Sequence, residues 1–315
     1  MSEPFEEHRR LLFAVAYRIL GSAADAEDAV QDSWLKWSAA DRSRVADPRA
    51  YLVRIVTNVA MDRLRSARAR RESYVGPWLP EPVLTDAGSG AGSEEDAVRA
   101  ESVSTGLLML LESLSPLERA VFVLREAFAF SHAEIAAAVG RSEETVRQAA
   151  SRAREHVRSN RPRFPVTASR HRAVTERFLA AAGGGDINTM LDLLAPDVTL
   201  WTDGGGKVRQ ALRPVRGAQP VAAWFAGIMR RPYEGVAPAE MTAEITGLSG
   251  APGVVMRGGG RVLATLTLDL DDQGRIIAIH NVANPDKLGA VTAGLVRDLR
   301  LSAYESGLGV VDDGA

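Results

Sequence analysis

Two arginine-rich stretches are the parts of this sequence best suited to a chemical role, and that role is contact with nucleic acid. Residues 42–71 hold nine arginines against two aspartates, and residues 141–163 hold seven arginines against three glutamates. Guanidinium groups neutralise phosphates, whereas amides and hydroxyls among them can hydrogen-bond to bases. In the first stretch Arg54, Asn58 and Arg65 fall at spacings that share one helical face. The pattern predicts two separate nucleic-acid contacts.

The first stretch is predicted to form a helix from Pro48 to Arg71. Asp47 suits the N-cap, and proline suits the first helical position. On a helical wheel Met61 joins the polar face, opposite an apolar stripe. That stripe consists of Leu52, Ile55, Val56, Val59 and Ala60. An ordinary solvated helix has the same pattern, so the excess of arginine is the feature that favours a nucleic-acid contact.

The second stretch has the proportions of a helix-turn-helix. Capping boxes start at Ser115 and Ser131, Gly140 ends the short helix, and Ser142 caps the next one. The last helix would bury Val146, Ala149, Ala150, Ala153 and Val157. It would expose Gln148, Ser151 and Arg152, with Arg147 and Arg154 on the flanks. These are residue types that reach bases and phosphates in a major groove. A plain helical hairpin is the alternative.

An acidic segment precedes the first basic helix. Residues 1–41 contain eight acidic and four basic residues and are predicted to form helices over 4–20 and 23–39. The second helix carries the candidate docking residues Asp25, Glu27, Asp28, Asp32 and Trp34. Aromatic side chains beside charges suit a protein interface. The alternative is a solvated acidic face with Trp34 and Trp37 in the core.

Composition narrows the class of protein. At 315 residues, with 46% hydrophobic and 25% charged residues, the chain should form two or three globular domains. It lacks a long apolar run and an apolar N-terminal signal core, so a cytoplasmic protein is expected. Without cysteine it has no disulfide or catalytic thiol. The five histidines show no metal-ligand spacing, so neither a metal nor a cofactor is expected.

The pattern changes twice after the first basic helix. Residues 73–95 form a linker by composition, yet the segment YVGPWLPEP resembles a stiff docking segment more than a flexible spacer. After Pro165 short helices precede alternating strands, which indicates an α+β domain with an antiparallel sheet. A frayed tail is expected after residue 302. The predicted helices are 168–182, 187–194 and 222–230, and the strands are 198–202, 240–248, 253–257, 262–270 and 275–283, with a glycine break at 183–185, a glycine loop at 204–206 and a hairpin turn at 271–274.

Several segments of the sequence resemble a known protein family. The phrases DAEDAVQDSWLKW, PRAYLVRIVTNVAMDRLR and LSPLERAVFVLREAFAFSHAEIAAAVGRSEETVRQAASRAR are similar to extracytoplasmic-function (ECF) sigma factors of RNA polymerase. YVGPWLPEP, DGGGK (203–207) and NPDKL (284–288) narrow the resemblance to the subgroup with a fused SnoaL-like C-terminal domain. The implied fold is multidomain, with two all-α helical DNA-binding domains and an α+β SnoaL/NTF2-like cone domain. The implied boundaries are 1–72 for region 2, 73–104 for the linker, 105–163 for region 4, 168–300 for the SnoaL-like domain and 301–315 for the tail.

The resemblance implies partners and roles. The acidic helix would bind core RNA polymerase, at the β′ clamp helices, and the β subunit is a further implied contact. Promoter DNA would be contacted at the −10 element by Arg54, Asn58 and Arg65. It would be contacted at the −35 element by Arg147, Gln148, Ser151 and Arg152. The linker would run toward the polymerase active-site region.

For the C-terminal domain the resemblance leaves several roles open. Pocket candidates are Trp201, Asp203, Lys207, Arg216, His280 and Asn281, and an Asp and a His among them would form an acid/base pair if they converged. Polar lining without catalysis is the favoured interpretation, and a small ligand of unknown identity stays open. A further hypothesis is that this domain controls the activity of the sigma regions in cis. The residues that would mediate this control are Tyr74, Trp78, Leu79, Asn284, Pro285, Asp286, Lys287 and Leu288. Two other functions remain as alternatives: a SnoaL-type enzyme with a DNA-binding front end, and a one-component transcription factor that senses a ligand.

Overall fold

The computed structural model describes residues 3–85, 104–160, 166–228, 231–297 and Leu299. The chain divides into two compact units. The first gathers the described residues of Met1–Ala67 and Leu111–Asn160, with Leu299, and the second gathers those of Arg68–Leu110 and Arg161–Arg297. Within these residues no helix combines the length and apolar character that a membrane crossing requires. The predicted frayed tail lies outside the described residues.

The first unit is helical, and its helices begin and end largely where local signals predict. Ser22 and Asp47 accept hydrogen bonds from the backbone N–H groups of Asp25 (3.1 Å) and Ala50 (3.0 Å). Ser115 and Ser131 both form complete capping boxes, and Gly140 ends its helix at φ +65°. The helices of residues 3–160 are α1 (Glu3–Leu20), α2 (Ala23–Ser38), α3 (Pro48–Arg71), α4 (Thr105–Leu111), α5 (Pro116–Phe122), α6 (His132–Val139) and α7 (Glu143–Asn160). Of these, residues 68–71 of α3 and 105–110 of α4 belong to the second unit. A π-helical turn, Val123–Ala127, extends α5.

Helix α3 is buried on more sides than its sequence pattern indicates. Met61, predicted on the open polar face, is buried, and so is Val53. Asn58, from the same face, donates its side-chain N–H to the carbonyl of Ala138 (2.8 Å). The prediction that Met61 lies on an open face is therefore wrong. The Asn58–Ala138 bond shows that residues far along the chain also contact this helix. A single amphipathic stripe cannot show such a remote partner.

Two buried arginines tie the parts of this unit together. Arg18 and Arg119 are 2% and 0% exposed. The guanidinium of Arg119 donates to the carbonyl of Arg18 (3.2 Å) and pairs with Glu112. Arg18 donates to the carbonyl of Leu299 (2.6 Å) and lies over the ring of Phe128. Buried cations require such partners, so these bonds specify how the helices pack.

The second unit is an α+β domain built on a seven-stranded sheet in the order β1-β4-β5-β6-β7-β2-β3. The strands are β1 (Leu84–Thr85), β2 (Leu194–Asp203), β3 (Val215–Arg216), β4 (Thr242–Leu248), β5 (Ala251–Gly258), β6 (Arg261–Leu270) and β7 (Ile276–Val282). The helices are α8 (Ala168–Gly184), α9 (Ile187–Leu193), α10 (Ala218–Ile228) and α11 (Gly289–Thr292). The α+β class is confirmed, as is the hairpin turn at 271–274, where Gly274 has φ +79°.

Several details of this domain differ from the sequence-based expectation. The sheet is not wholly antiparallel, because β2 pairs with β7 in parallel, from Thr199–Ala278 to Asp203–Val282. Helix α8 continues to Gly184, so only Gly185 breaks it, at φ +70°. Helix α10 begins at Ala218 and β2 at Leu194, each four residues earlier than predicted. Strands β1 and β3 have two residues each and are too short to show an alternating pattern.

The described part of the linker belongs to the core of the α+β domain. Leu79 and Val83 are fully buried, and Leu79 packs with Leu248, Val282 and Leu288. Strand β1 pairs with β4, where Ser249 N–H donates to the carbonyl of Val83 (2.8 Å). The segment YVGPWLPEP (residues 74–82) therefore packs on the α+β domain. The rest of the linker, residues 86–103, lies outside the described residues.

Candidate functional site

A cluster of polar groups around one carboxylate holds residues 74–79 on the α+β domain; we call it the Asp203 anchor. Asp203 ends strand β2 and is fully buried. Its oxygens accept hydrogen bonds from the Tyr74 hydroxyl (2.5 Å), the Leu79 N–H (2.8 Å) and the Lys287 ammonium (2.6 Å). The Gly205 N–H adds a fourth, at 3.1 Å. One side chain thus joins the linker, the glycine loop and the NPDKL turn.

The DGGGK and NPDKL segments lie together around this anchor. Asn284 donates its amide to the Tyr74 hydroxyl (2.8 Å) and accepts from the N–H of Asp286 (3.1 Å), so it caps the short turn Pro285–Lys287. Lys207 pairs with Asp286 at 2.6 Å. Gly205 has φ +59°, and a Cβ there would collide with the Asn284 amide. Glycine is therefore required at this position for both backbone conformation and space.

Lys287 is the cation of the anchor. Its ammonium group donates to the Leu79 carbonyl (2.5 Å) and lies over the rings of Tyr74 (4.8 Å) and Trp78 (4.1 Å). Arg71 stacks on Trp78 at 3.6 Å. Such cation–π contacts supplement the ion pair with Asp203. Of the predicted interdomain residues, Tyr74, Trp78, Leu79, Asn284, Pro285, Asp286, Lys287 and Leu288 are all brought together here.

The anchor contains two groups whose pKa values are shifted by burial, Lys287 and Tyr74. Burial lowers the pKa of Lys287 from 10.5 to about 8, although Asp203 and Glu81 oppose the shift and Arg71 adds to it. Between about pH 8 and pH 10 the unfolded chain then binds more protons, so the free energy of unfolding rises with pH. Burial raises the pKa of Tyr74 above its ordinary value of 10.0, which reverses the trend at higher pH.

We expect the free energy of unfolding to rise by about 1–2 kcal/mol between pH 8 and pH 9.5, measured by urea titration followed by tryptophan fluorescence. Lys287→Met should remove this rise, because methionine does not titrate. A free energy that is flat or falling over this range in the unmodified chain would contradict the assignment.

The remaining pocket candidates do not form one site. His280 pairs with Asp269 (3.1 Å), whereas Asp203 accepts its hydrogen bonds within the anchor, so these two residues do not converge as an acid/base pair. Trp201 packs at the edge of the core that contains Leu79, and Lys207 pairs with Asp286. Arg216 lies on the short strand β3. Among the described residues, no group of three or more His, Asp or Glu is placed to bind a metal ion.

A cavity of about 60 Å³ lies elsewhere in this domain, between α8, α10 and strands β5 and β6. Of the pocket candidates only Asn281 lines it; Trp201, Asp203, Lys207 and His280 do not. Its lining is mostly apolar, including Phe178, Trp224 and Phe225. Sequence reasoning missed it because it searched for polar residues. The available signal was the aromatic pair in AWFAGI, which is also a pattern of ordinary core packing.

Helix α7 presents the predicted polar face. All five residues predicted to be buried are buried, and Arg147, Gln148, Ser151, Arg152 and Arg154 are exposed. Arg147 pairs with Glu143 (2.5 Å), Gln148 with Glu144 (2.8 Å) and Arg152 with Glu118 (2.8 Å). Exposed pairs contribute little stability, so these side chains can exchange their partners for phosphates and bases.

The candidate residues of α3 are less uniformly open. Arg54 and Arg65 are exposed, and Arg65 pairs with Asp62. Asn58 is half-buried and donates to the carbonyls of Arg54 (2.7 Å) and Ala138 (2.8 Å). Its amide is therefore committed to bonds within this unit.

Helix α2 has features of both alternatives, a protein-docking surface and a solvated acidic face with tryptophan in the core. Trp37 is buried, whereas Trp34 is half-buried and packs edge-on against Phe5 at 5.1 Å. The acidic residues are partly paired within the unit. Glu27 contacts Arg9 (2.8 Å), and Arg63 contacts Asp28 (3.3 Å) and Asp32 (2.7 Å); Asp25 belongs to the first turn. Leu35, which the sequence analysis did not single out, is 59% exposed beside them.

Comparison with known proteins shows the family to which this chain is related. The models "Sigma-70 region 2" and "Sigma-70, region 4" match residues 4–70 and 105–157. The ECF RNA polymerase sigma factor SigJ of Mycobacterium tuberculosis is 41% identical over 295 residues, which cover 90% of this chain and 91% of SigJ. This chain belongs to the ECF sigma factors. The probable ECF sigma factor SigI of the same organism is 33% identical over 203 residues, or 63% of this chain and 68% of SigI.

The comparison with solved structures agrees with the sequence comparison for this ECF sigma factor. The crystal structure of M. tuberculosis SigJ matches it with a TM-score of 0.70 and 35% sequence identity, covering 91% of this chain and 97% of that one. The match extends beyond the two sigma regions and therefore includes the C-terminal α+β domain. The family resemblance drawn from the sequence phrases is confirmed, and the chain is an alternative sigma factor with an additional C-terminal domain.

Proposed function

We propose that this sigma factor directs core RNA polymerase to promoters through α2, α3 and α7, and that its C-terminal domain controls that activity in cis through the Asp203 anchor. The observation that carries the second part is the buried Asp203 carboxylate, which holds Tyr74 and Leu79 of the linker. The linker joins the two sigma regions in sequence. A domain that fixes its first half can therefore set how freely those regions reach the two promoter elements.

Helix α2 is the proposed polymerase surface, with the β′ clamp helices and the β subunit as partners. Asp25, Glu27, Asp28, Asp32 and Trp34 are the proposed contacts. Asp28 and Asp32 keep 61% and 43% of their side-chain surface exposed beside Leu35. An apolar side chain bordered by carboxylates suits a basic partner surface with an apolar centre.

Helix α7 is the proposed reader of the −35 element. Recognition helices contact base edges mainly through their N-terminal residues. Arg147, Gln148, Ser151 and Arg152 occupy the exposed face of the first half of α7. For the −10 element, Arg54 and Arg65 would contact phosphates, while Asn58 would hydrogen-bond to an unstacked base.

Asn58→Ala should lower transcription from a promoter with an intact −10 element by about tenfold, since a base hydrogen bond contributes roughly 1–2 kcal/mol. Run-off transcription with core polymerase measures this. Ser66→Ala, an exposed change on the same helix, is the control and should keep full activity. Equal loss in both variants would contradict a base-specific role for Asn58.

The proposed domain boundaries follow these roles: 1–72 for region 2, 73–104 for the linker, 105–163 for region 4 and 168–300 for the regulatory domain, with 301–315 as a tail. Residues 74–85 act with the regulatory domain, because they supply part of its core and strand β1. The C-terminal domain is proposed to be regulatory and not catalytic. Asp203 and His280, the candidate acid/base pair, are engaged with different partners.

The deciding experiment is run-off transcription on a set of promoter fragments with the full chain and purified core polymerase. Promoter-specific transcripts that require both components are expected, together with weak binding of the chain alone to duplex DNA. Tight, specific duplex binding without polymerase, and no transcript with it, would replace this proposal by a one-component regulator.

A further inference from the structure

Arg152 of α7 is held by a carboxylate of α5 that is itself fixed. Glu118 completes the capping box of Ser115, where its Oε2 accepts from the Ser115 N–H (3.1 Å) and hydroxyl (2.7 Å). Its other oxygen, Oε1, accepts from the Nε–H of Arg152 (2.8 Å). The hydrogen bonds from Arg152 and Ser115 lower the pKa of Glu118, so the carboxylate is ionised at neutral pH. One residue of a helix cap thus also fixes a guanidinium group of the proposed reading helix.

The other arginines of this face are held differently. Arg147 donates through Nη2 to Glu143, one turn earlier on α7, and 43% of the Glu143 side chain is exposed. Arg154 donates both Nε (3.3 Å) and Nη2 (2.8 Å) to Glu126, which is 27% exposed. Glu118 is 19% exposed, which makes it the most sheltered of these three carboxylates. A carboxylate already ordered by a cap loses little further conformational entropy when it holds a partner.

The bond through Nε leaves the end of the Arg152 guanidinium open. Glu118 is its one hydrogen-bond partner among the described residues, so Nη1 and Nη2 donate to none of them, and the side chain is 61% exposed. Two N–H groups at the end of an arginine match the O6 and N7 acceptors of guanine in a major groove. In Arg147 and Arg154 the Nη2 group is already engaged, which breaks this pair of donors. Arg152 can therefore bind a base while it keeps Glu118.

We propose that Glu118 is a positioning residue for recognition of the −35 element: it holds Arg152 through Nε so that Nη1 and Nη2 together bind one guanine. This inference rests on the proposed role of α7. An arginine that is oriented before binding loses less rotamer entropy on binding and accepts a narrower range of base geometries. The negative charge of Glu118 does not itself attract DNA. Its effect is therefore on discrimination between bases and not on overall affinity.

Glu118→Gln separates the two functions of this side chain. Glutamine serves in a capping box as glutamate does, but its NH₂ group cannot accept a hydrogen bond from Arg152. Run-off transcription by the full chain with core polymerase is measured on a promoter whose −35 base pairs are changed one at a time. The base pair that Arg152 reads is the one whose effect disappears in Arg152→Ala. The unmodified chain should prefer guanine there by at least about fivefold, and Glu118→Gln by less than about twofold.

Glu134→Gln is the matched control. Glu134 completes the equivalent capping box of Ser131, and in the described part of the chain it accepts no hydrogen bond from an arginine. The variant removes the same charge from the same capping position, and it should keep the full preference for guanine. Thermal melting should give similar midpoints for the two glutamine variants, because both retain their caps.

The double variant Glu118→Gln with Arg152→Ala tests whether the two residues act as a unit. It should transcribe no worse than Arg152→Ala alone, because the effect of Glu118 passes through Arg152. Additive losses, full guanine preference in Glu118→Gln, or an equal loss of preference in Glu134→Gln would each overturn the proposal. The absence of any −35 position that depends on Arg152 would overturn it as well.

The pair also has a readout that needs no promoter. In the full chain, followed by NMR, the Nε–H of Arg152 should exchange with water more slowly than that of the exposed Arg158, and Glu118→Gln should remove the difference. Equal exchange in the unmodified chain would overturn the proposal. Absence of promoter-specific transcripts from the unmodified chain would count against the proposed sigma function and, with it, the reading role. The exchange difference would then leave the Glu118–Arg152 pair standing.

Discussion

Asp203→Ala is expected to destabilise the C-terminal domain by about 3–5 kcal/mol, because the change leaves the buried Lys287 ammonium without its counter-charge. The Tyr74 hydroxyl and the Leu79 N–H lose their acceptor at the same time. Residues 74–79 should detach from the domain. Limited proteolysis should then cut near Val75, and the amount of run-off transcript should change at least severalfold relative to the unmodified chain.

The double variant Asp203→Asn with Lys287→Met is the control for this prediction. It removes both charges together, and replacing a buried ion pair by neutral groups is often close to neutral for stability. The double variant should therefore recover most of the lost free energy of unfolding. If the single and double variants lost the same stability, the ion pair would not be what holds the anchor. Unchanged transcription in a variant with a detached linker would refute control in cis.

Arg147→Ala is expected to reduce promoter-specific transcription by about tenfold to a hundredfold, since a base or phosphate contact of this kind contributes roughly 1–3 kcal/mol. The fold should be unaffected, because the Arg147 side chain is 59% exposed and pairs with Glu143 on its own helix. Run-off transcription and thermal melting of the variant measure the two quantities separately.

Arg158→Ala supplies the matched charge change at the other end of α7. It is exposed and removes the same charge, but it lies in the last turn, away from the proposed reading face. Activity close to that of the unmodified chain is expected. A similar loss in both variants would indicate a general electrostatic effect in place of reading by the N-terminal half of the helix.

The features that could be predicted well from the sequence are those that depend on residues close together along the chain. Ser115, Ser131 and Gly140 cap their helices through bonds to residues within five positions, so local rules suffice. The buried face of α7 follows from helical periodicity alone. The Asp203 anchor was predicted only in part: its members were named as two separate groups. Tyr74 lies 129 positions from Asp203, and no periodicity links residues so far apart.

The differences from the sequence-based expectation have the same origin. A helical wheel puts Met61 on the open face because it shows one apolar stripe and no further packing surface. Asp203 and His280 could act as an acid/base pair only if the fold brought their side chains together. In the sheet these two residues belong to neighbouring strands, yet the carboxylate turns to the linker while His280 meets Asp269. The hydrogen-bond partner that a buried polar side chain takes depends on all the donors and acceptors that the fold places around it.

The Ala138 carbonyl, which accepts a hydrogen bond from Asn58, would compete with a DNA base for the Asn58 amide in the free chain. If Asn58 contacts a promoter base as proposed, its amide must first release the Ala138 carbonyl, which is an acceptor within the first unit. One such bond contributes only about 1 kcal/mol. That cost is small beside the binding energy of a large protein interface. Under the proposed role of Asn58 it would lower the affinity of the chain for DNA when no polymerase is present, so that sigma factor without polymerase would leave promoters unoccupied.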